Sequence, residues 1–168
     1  GPDHPDVATC LNNLGLLYRN RGDYDSAEAF LKKTLAIHEK AKGPDNPDVA
    51  TALNNLGNLY KERGDFASAE PLLKRALEIY EKILGPDHPD VAASLFGLGS
   101  LYQARRDYAS AEPLYKRALA ICEKLLGPDH PYVATCLENL ASIYRATKRI
   151  SEANALEKRA ARIRAIKR

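Results

Sequence analysis

Four histidines and three cysteines are the residues of this chain best suited to metal or nucleophilic chemistry, and their spacing limits what they can do. His4, His88 and His130 all sit in the same local context, Gly-Pro-Asp-His-Pro, at positions related by a 42-residue period. A metal centre needs its ligands to converge on one point. A general base needs its nucleophile within hydrogen-bonding reach. Side chains one repeat apart along an array cannot converge in either way. Asn46 fills the same column in the second repeat, and asparagine is a strong helix N-cap, so the column reads as capping. Cys10 and Cys136 also share a column and stand far apart. Cys122 ends one repeat and Cys136 begins the next, so those two are expected to be neighbours. All three cysteines read as reduced, small core residues. His38 shares a column with Tyr80 and Cys122 and reads as packing or surface. Asp23 and Asp25 read as turn caps. No phosphate-cradling glycine loop, nucleophile elbow or close ligand pair appears. The expectation is a chain without catalysis, cofactor, metal or small-molecule substrate.

The elements that carry these residues follow from the period. GPDHPDVA at residue 1 returns as GPDNPDVA at 43, GPDHPDVA at 85 and GPDHPYVA at 127. The expected organisation is a single array over residues 1–168, with repeats 1–42, 43–84, 85–126 and 127–168. A period of this length marks a helical array in which each unit buries its apolar face against its neighbours. In residues 1–42, Gly1 to His4 form a turn, His4 is placed as N-cap by the proline after it, and Pro5 suits the first helical turn. Val7, Cys10, Leu11, Leu14, Leu17 and Tyr18 recur at helical spacing. Gly22 ends that helix in a left-handed conformation, and Asp23 caps the next. Ala27, Phe30, Leu31, Thr34, Leu35 and Ile37 mark a second amphipathic helix running to about Lys40. Each unit is thus a pair of antiparallel helices of about 16 residues, each roughly 24 Å long. No segment reads as a strand.

Leu11-x2-Leu14-Gly15-x2-Tyr18, followed by Ala27-x3-Leu31, resembles the tetratricopeptide repeat. Repeat 2 supplies Leu53, Leu56, Gly57, Tyr60, Ala69 and Leu73, and repeat 3 supplies Leu95, Leu98, Gly99, Tyr102, Ala111 and Tyr115. The period is eight residues longer than the common 34. With its HPDVA, LNNLG and AEPLxKRALEI segments, it is similar to the kinesin light chain type. The resemblance implies an all-α, right-handed superhelical solenoid of four helix-turn-helix repeats and eight helices. It also implies that the first helix of each repeat lines a concave groove. That places Asn12, Asn13, Leu16 and Arg19 in the groove from repeat 1, and Asn54, Asn55, Asn58 and Lys61 from repeat 2. Repeat 3 offers Phe96, Ser100 and Gln103, and repeat 4 offers Glu138, Asn139 and Arg145. Asn13, Asn55 and Asn139 form a ladder whose amides can both donate to and accept from an extended backbone. Arg19, Lys61 and Arg145 favour an acidic segment, and Phe96 could anchor an apolar side chain. The function expected is a non-catalytic protein-interaction module binding an extended, acidic or amphipathic peptide. The second reading is a structural or engineered repeat scaffold without an evolved ligand, since repeats 1 and 2 agree at 27 of 42 positions.

The fourth repeat departs from the others. Ala141 replaces the helix-crossing glycine, Lys148 the turn glycine, Glu157 the leucine or tyrosine, and Ala161 a leucine. Ala153, Leu156, Ala160 and Ile163 keep an inward stripe, while the outward face turns basic. Residues 1–144 carry 16 basic and 20 acidic side chains, and residues 145–168 carry nine and two. This pattern suits a solubilising C-terminal cap. The third reading makes the basic end a contact for nucleic acid or an anionic surface, which the lack of interleaved aromatic residues disfavours. The first helix has no polar face in front of it, so the chain is expected either to come from a longer array or to be an engineered piece, and to self-associate end to end through that helix at high concentration. No apolar run is long enough to span a membrane and no signal peptide opens the chain, so a cytoplasmic location is expected.

Overall fold

A computed structural model describes residues 5–166, with the side chain of Pro5 excepted. The expected Gly1–His4 turn and His4 cap lie outside the described residues. Eight helices follow in order: α1 (Pro5–Asn20), α2 (Tyr24–Lys42), α3 (Pro47–Glu62), α4 (Phe66–Leu84), α5 (Pro89–Ala104), α6 (Tyr108–Leu126), α7 (Pro131–Ala146) and α8 (Ile150–Arg164). Among the described residues there is no strand. No helix there is long and apolar enough to cross a membrane. The helices group into two compact units, α1–α4 and α5–α8.

Side-chain caps set the starts of α2 to α7. Asn46 caps α3 by accepting from the Asp48 amide at 3.0 Å. His88 and His130 cap α5 and α7 in the same way through Nδ1, each at 3.2 Å. That geometry requires the tautomer carrying its proton on Nε2. The second helices are capped by Asp23, Asp65 and Asp107, which accept from the amides of Ser26, Ser68 and Ser110. Asp25 is no cap: it lies in the first turn of α2 and pairs with Arg63 at 3.3 Å. α8 breaks the series, because Arg149 stands at its N-cap and makes no capping bond.

Within the first unit, α1 packs along α2, α3 along α4, and α2 also packs on α3. The α1–α2 pair is antiparallel. Thr34 Oγ1 reaches the Ala8 carbonyl at 3.4 Å, while Gly15 faces Ala27 and Leu31 nearer the turn. The approach is close: a Cβ on Gly15 or Gly57 would lie 2.8 Å from Leu31 or Leu73. Ala27, Leu31, Leu56 and Leu59 form the core where α2 meets α3, with Tyr18, Tyr24, Leu35, Tyr60 and Leu72 around them. Arg75 fastens the loop behind α2, pairing with Glu39 at 2.8 Å and donating to the Pro44 carbonyl.

The second unit repeats this plan, with α5 on α6, α7 on α8 and α6 on α7. Its core gathers Ala111, Tyr115, Leu140, Ala141, Ile143, Tyr144 and Ala153. Arg159 fastens its loop as Arg75 does, through Glu123 at 2.6 Å and the Pro128 carbonyl. The stripe expected on α8 is present: Ala153, Ala160 and Ile163 are buried and Leu156 is half-buried. Cys122 and Cys136 are buried, unoxidised and neighbours at the α6–α7 contact. Burial pushes both thiols above their ordinary range. Cys10 corrects the expectation of a core thiol, because it is exposed. Its counterparts Ala52 and Cys136 are covered by α2 and α6, whereas no described helix lies over that face of α1.

Candidate peptide-binding faces

The side chains placed in a groove by the sequence lie on the first helix of each repeat, α1, α3, α5 and α7. In the first unit they fall on α1 and α3. Asn12, Leu16, Arg19, Asn54, Asn55, Asn58 and Lys61 are half-buried, and Asn13 is exposed. The two helices are tied across this face by Asn55 Nδ2 donating to Asn12 Oδ1 at 2.8 Å. Asn55 therefore bonds to the neighbour of its column partner Asn13, so the amides are linked one step off the expected ladder. Arg19 approaches Glu62 at 3.7 Å. Lys61 is drawn below the ordinary lysine range chiefly by burial, with Glu62 opposing and Arg19 reinforcing that shift. A partly desolvated cation on a face that also carries carboxamides is suited to a carboxylate that arrives with hydrogen-bonding groups around it.

In the second unit the corresponding residues are more committed to the protein itself. Phe96 is half-buried and stacks at a tilt on Tyr115, with centroids 5.5 Å apart. Gln103 accepts from the Tyr115 hydroxyl at 2.9 Å and donates to Ser142 Oγ at 3.2 Å. Burial of that phenol raises it to about 12. Ser100 donates to the Gly97 carbonyl of its own helix at 2.9 Å. Glu138 accepts from Arg164 at 3.0 Å. Arg145 turns toward α8, reaching Glu157 at 2.5 Å and Asn154 at 2.8 Å. Asn139 is half-buried on α7. The tyrosine in the column of Leu31 and Leu73 explains much of this. Tyr115 brings a hydroxyl that must be satisfied, and it takes Gln103. The partners of Gln103 and Arg145 were not readable from helical spacing alone. The signal available was the coincidence of unusual residues in facing columns: Tyr115 opposite Gln103, and Glu157 opposite Arg145.

A polar cavity of about 360 Å³ opens beside the α1–α3 face, lined by Thr9, Asn12, Thr34, His38 and Thr51 among others. The Nδ1 atom of His38 is buried there without a hydrogen-bond partner, and burial lowers the imidazole below its usual range. Among the described residues, no three of His, Cys, Asp and Glu gather as a metal-binding group.

The comparisons with known proteins agree with this architecture. The tetratricopeptide repeat model matches residues 1–40, 11–82, 48–124 and 97–165. The chain is 32% identical to BtubC (BKLC) from P. vanneervenii with a TM-score of 0.89, over 96% of this chain and 65% of that one. It thus spans just under two thirds of that protein. It is 26% identical to the putative kinesin light chain nearly identical TPR-like repeats of Podosopora anserina, with a TM-score of 0.86 over 98% of this chain and 79% of that one. A single-substitution form of those repeats is 27% identical at the same TM-score, over 96% and 76%. Among curated proteins, none matches the chain. Tetratricopeptide repeats are in general protein-interaction modules, and repeat proteins of this kind are typically non-catalytic. With matches running through all four repeats and helices placed where the motif requires them, the chain belongs to the tetratricopeptide repeat family.

Proposed function

We propose that the chain is a non-catalytic interaction module whose first helices receive an extended, acidic or amphipathic peptide. The α1–α3 face of the first unit is the principal contact. The observation that carries this reading is the half-buried Lys61 set on the same two helices as Asn12, Asn54, Asn55 and Asn58. Carboxamides supply both donors and acceptors for a peptide backbone. A carboxylate of the peptide would offset the desolvation of the lysine. Arg19 adds positive charge at the same end of α1. On α7, Asn139 supplies a further amide. Phe96, Ser100, Gln103, Glu138 and Arg145 act in the second unit mainly by shaping the surface. The array of residues 1–168 works as one interaction domain on this reading, with no cofactor and no small-molecule substrate.

The test is a fluorescence-anisotropy screen of acidic and basic peptide pools, followed by titration of the best binder. Asn55→Ala and Lys61→Ala should each weaken an acidic peptide by about 5- to 30-fold, corresponding to roughly 1–2 kcal/mol. Thermal stability should change little in Lys61→Ala, and Asn55→Ala should lose about 1 kcal/mol with its bond to Asn12. If no pool binds, the scaffold reading replaces this one. If basic peptides win, the assignment of Lys61 is wrong.

A further inference from the structure

One column of the second helices behaves differently in the first repeat. Tyr80 of α4 and Arg164 of α8 each reach a threonine on the first helix of their own repeat. The Tyr80 hydroxyl meets Thr51 Oγ1 at 2.6 Å, and Arg164 donates to Thr135 Oγ1 at 3.0 Å. His38 of α2 stands in the same column. Its imidazole is shorter than either side chain, and its Nδ1 is buried without a hydrogen-bond partner. Beside it lies the cavity of about 360 Å³ lined by α1, α2 and α3. That volume falls within the range of roughly 300–1,000 Å³ usual for ligand pockets. The second unit does not repeat this chemistry, since Ala93, Phe96, Cys122 and Leu126 stand in the columns of Thr9, Asn12, His38 and Lys42.

The walls offer acceptors more than donors. Thr34 gives its hydroxyl proton to the backbone, with the Phe30 carbonyl at 3.0 Å and the Ala8 carbonyl at 3.4 Å. Thr51 Oγ1 lies 3.0 Å from the Pro47 carbonyl and 2.6 Å from the Tyr80 hydroxyl, so its proton is committed as well. The Lys42 ammonium pairs with Asp48. A hydroxyl whose proton is committed still has a lone pair to offer. Asp6 and Asp48 also line the cavity, and a carboxylate accepts only. Burial holds His38 below its usual range, and a neutral imidazole keeps one nitrogen lone pair. The fitting occupant therefore brings several N–H donors and a positive charge. A guanidinium carries five such donors and an ammonium three. A carboxylate entering here would meet acceptors that it cannot pair with. Asn12, whose Oδ1 accepts from Asn55, has amide protons for a backbone carbonyl nearby.

We infer that this cavity is a pocket for an arginine or lysine side chain of a bound peptide, seated against His38 Nδ1 and the threonine hydroxyls. The pocket stands by itself, but its place in a peptide sequence rests on the α1–α3 face being the peptide contact. Thr51 at the pocket and Lys61 lie ten residues apart on α3, about 15 Å along the helix. An extended segment advances about 3.3 Å per residue, so about five residues cover that distance. The peptide thus carries its acid for Lys61 about five residues from its base for the pocket.

The small cation n-butylguanidinium tests the pocket alone, followed by nitrogen NMR of the labelled chain. The expected result is a saturable shift of the His38 imidazole nitrogens and of the Thr9 and Thr51 amides, which sodium acetate does not produce. In His38→Tyr the amide shifts should vanish while the melting temperature is kept, because a phenol there extends toward Thr9 as that of Tyr80 does toward Thr51. Labelled peptides carrying one glutamate and, five residues away, either arginine or glutamine test the spacing. The arginine peptide should bind the parent chain about ten-fold more tightly, and His38→Tyr less than about two-fold more tightly. No saturable shift with n-butylguanidinium, or a larger one with acetate, would overturn the pocket. Equal binding of the two peptides by the parent chain, or a preference that survives His38→Tyr, would overturn its use by a peptide side chain. A His38 shift in a chain that binds neither peptide would uphold the pocket and reject the α1–α3 face as the peptide contact.

Discussion

Arg106 and Lys148 occupy the column that holds Gly22 and Gly64, and both adopt a left-handed backbone, with φ of 61°. The glycines sit at 79°. The turn demands this conformation because the chain must reverse between the two helices of a repeat within three residues. Its hydrogen bonds are the same in every repeat: Asp23, Asp65, Asp107 and Arg149 donate their amides to the carbonyls of Tyr18, Tyr60, Tyr102 and Tyr144. For a residue with a Cβ the left-handed region costs about 1 kcal/mol or more. Arg106→Gly should therefore raise stability by roughly 1 kcal/mol, less a few tenths for added freedom of the unfolded chain. A higher urea midpoint at unchanged m-value would show it, and an unchanged or lower midpoint would reject strain at this turn. The turn was legible from Gly22 and Gly64. At residue 106 it was visible only by alignment with the other repeats, since arginine carries no turn signal of its own. Compensation hides other positions in the same way. Ala141 stands where glycine is needed against Leu31, Leu73 or Tyr115, and it fits because its facing residue, Glu157, is drawn away to Arg145.

At the scale of elements, α2 is held on α3 by more than its apolar seam. Glu28 is the node. It pairs with Lys32 at 2.6 Å, accepts from the Tyr60 hydroxyl at 2.8 Å, and binds Arg63 at 2.7 Å. The hydrogen bond from Lys32, followed by that from Tyr60, holds its carboxyl below the usual glutamate range against the opposing effect of burial. The second unit rebuilds the node with different parts. Glu112 pairs with Lys116 at 2.5 Å and with Arg149 at 2.8 Å, and that arginine lies 3.8 Å over the Tyr144 ring. Arg149 thus gives up the N-cap role that aspartate plays in the other repeats and clamps α6 to the start of α8 instead. Glu28 titrates lower in the folded chain than in the unfolded one, so the stability it supplies is present above the ordinary glutamate range. That stability is lost as pH falls through the folded value. Glu28→Gln should cost about 1–2 kcal/mol at neutral pH. The gap between variant and parent should close as pH falls toward 3. Urea denaturation at several pH values measures this directly, and a gap constant down to pH 3 would show that the carboxylate charge contributes nothing.

Across the whole molecule, the helical repeat was legible because every level of the sequence repeats together: caps, turns, apolar columns and the close glycine–leucine crossing. The surface was less legible, because an exposed charge acquires its meaning from a partner in another helix. The basic end shows this. Residues 145–168 read as an excess of positive charge, yet four of its arginines are matched by carboxylates: Arg145 by Glu157, Arg149 by Glu112 and Glu152, Arg159 by Glu123, and Arg164 by Glu138. Three of those carboxylates, Glu112, Glu123 and Glu138, precede the basic segment, so counting charges along it misses them. The described cations outside these four pairs are the exposed Lys148, Lys158 and Arg162. Affinity for nucleic acid depends on how many phosphates a protein neutralises, with log K falling by about 0.9 per contact for each decade of salt. An arginine already satisfied by glutamate must break that pair to contribute. Counting Lys167 and Arg168 with these three, we therefore expect a labelled DNA duplex to bind only at low salt, with a slope no steeper than about −4.5, and to be released near 150 mM salt. Tight binding that persists at that salt with a slope near −6 would mean that the arginine–glutamate pairs open on contact. The basic end would then be a nucleic-acid surface after all.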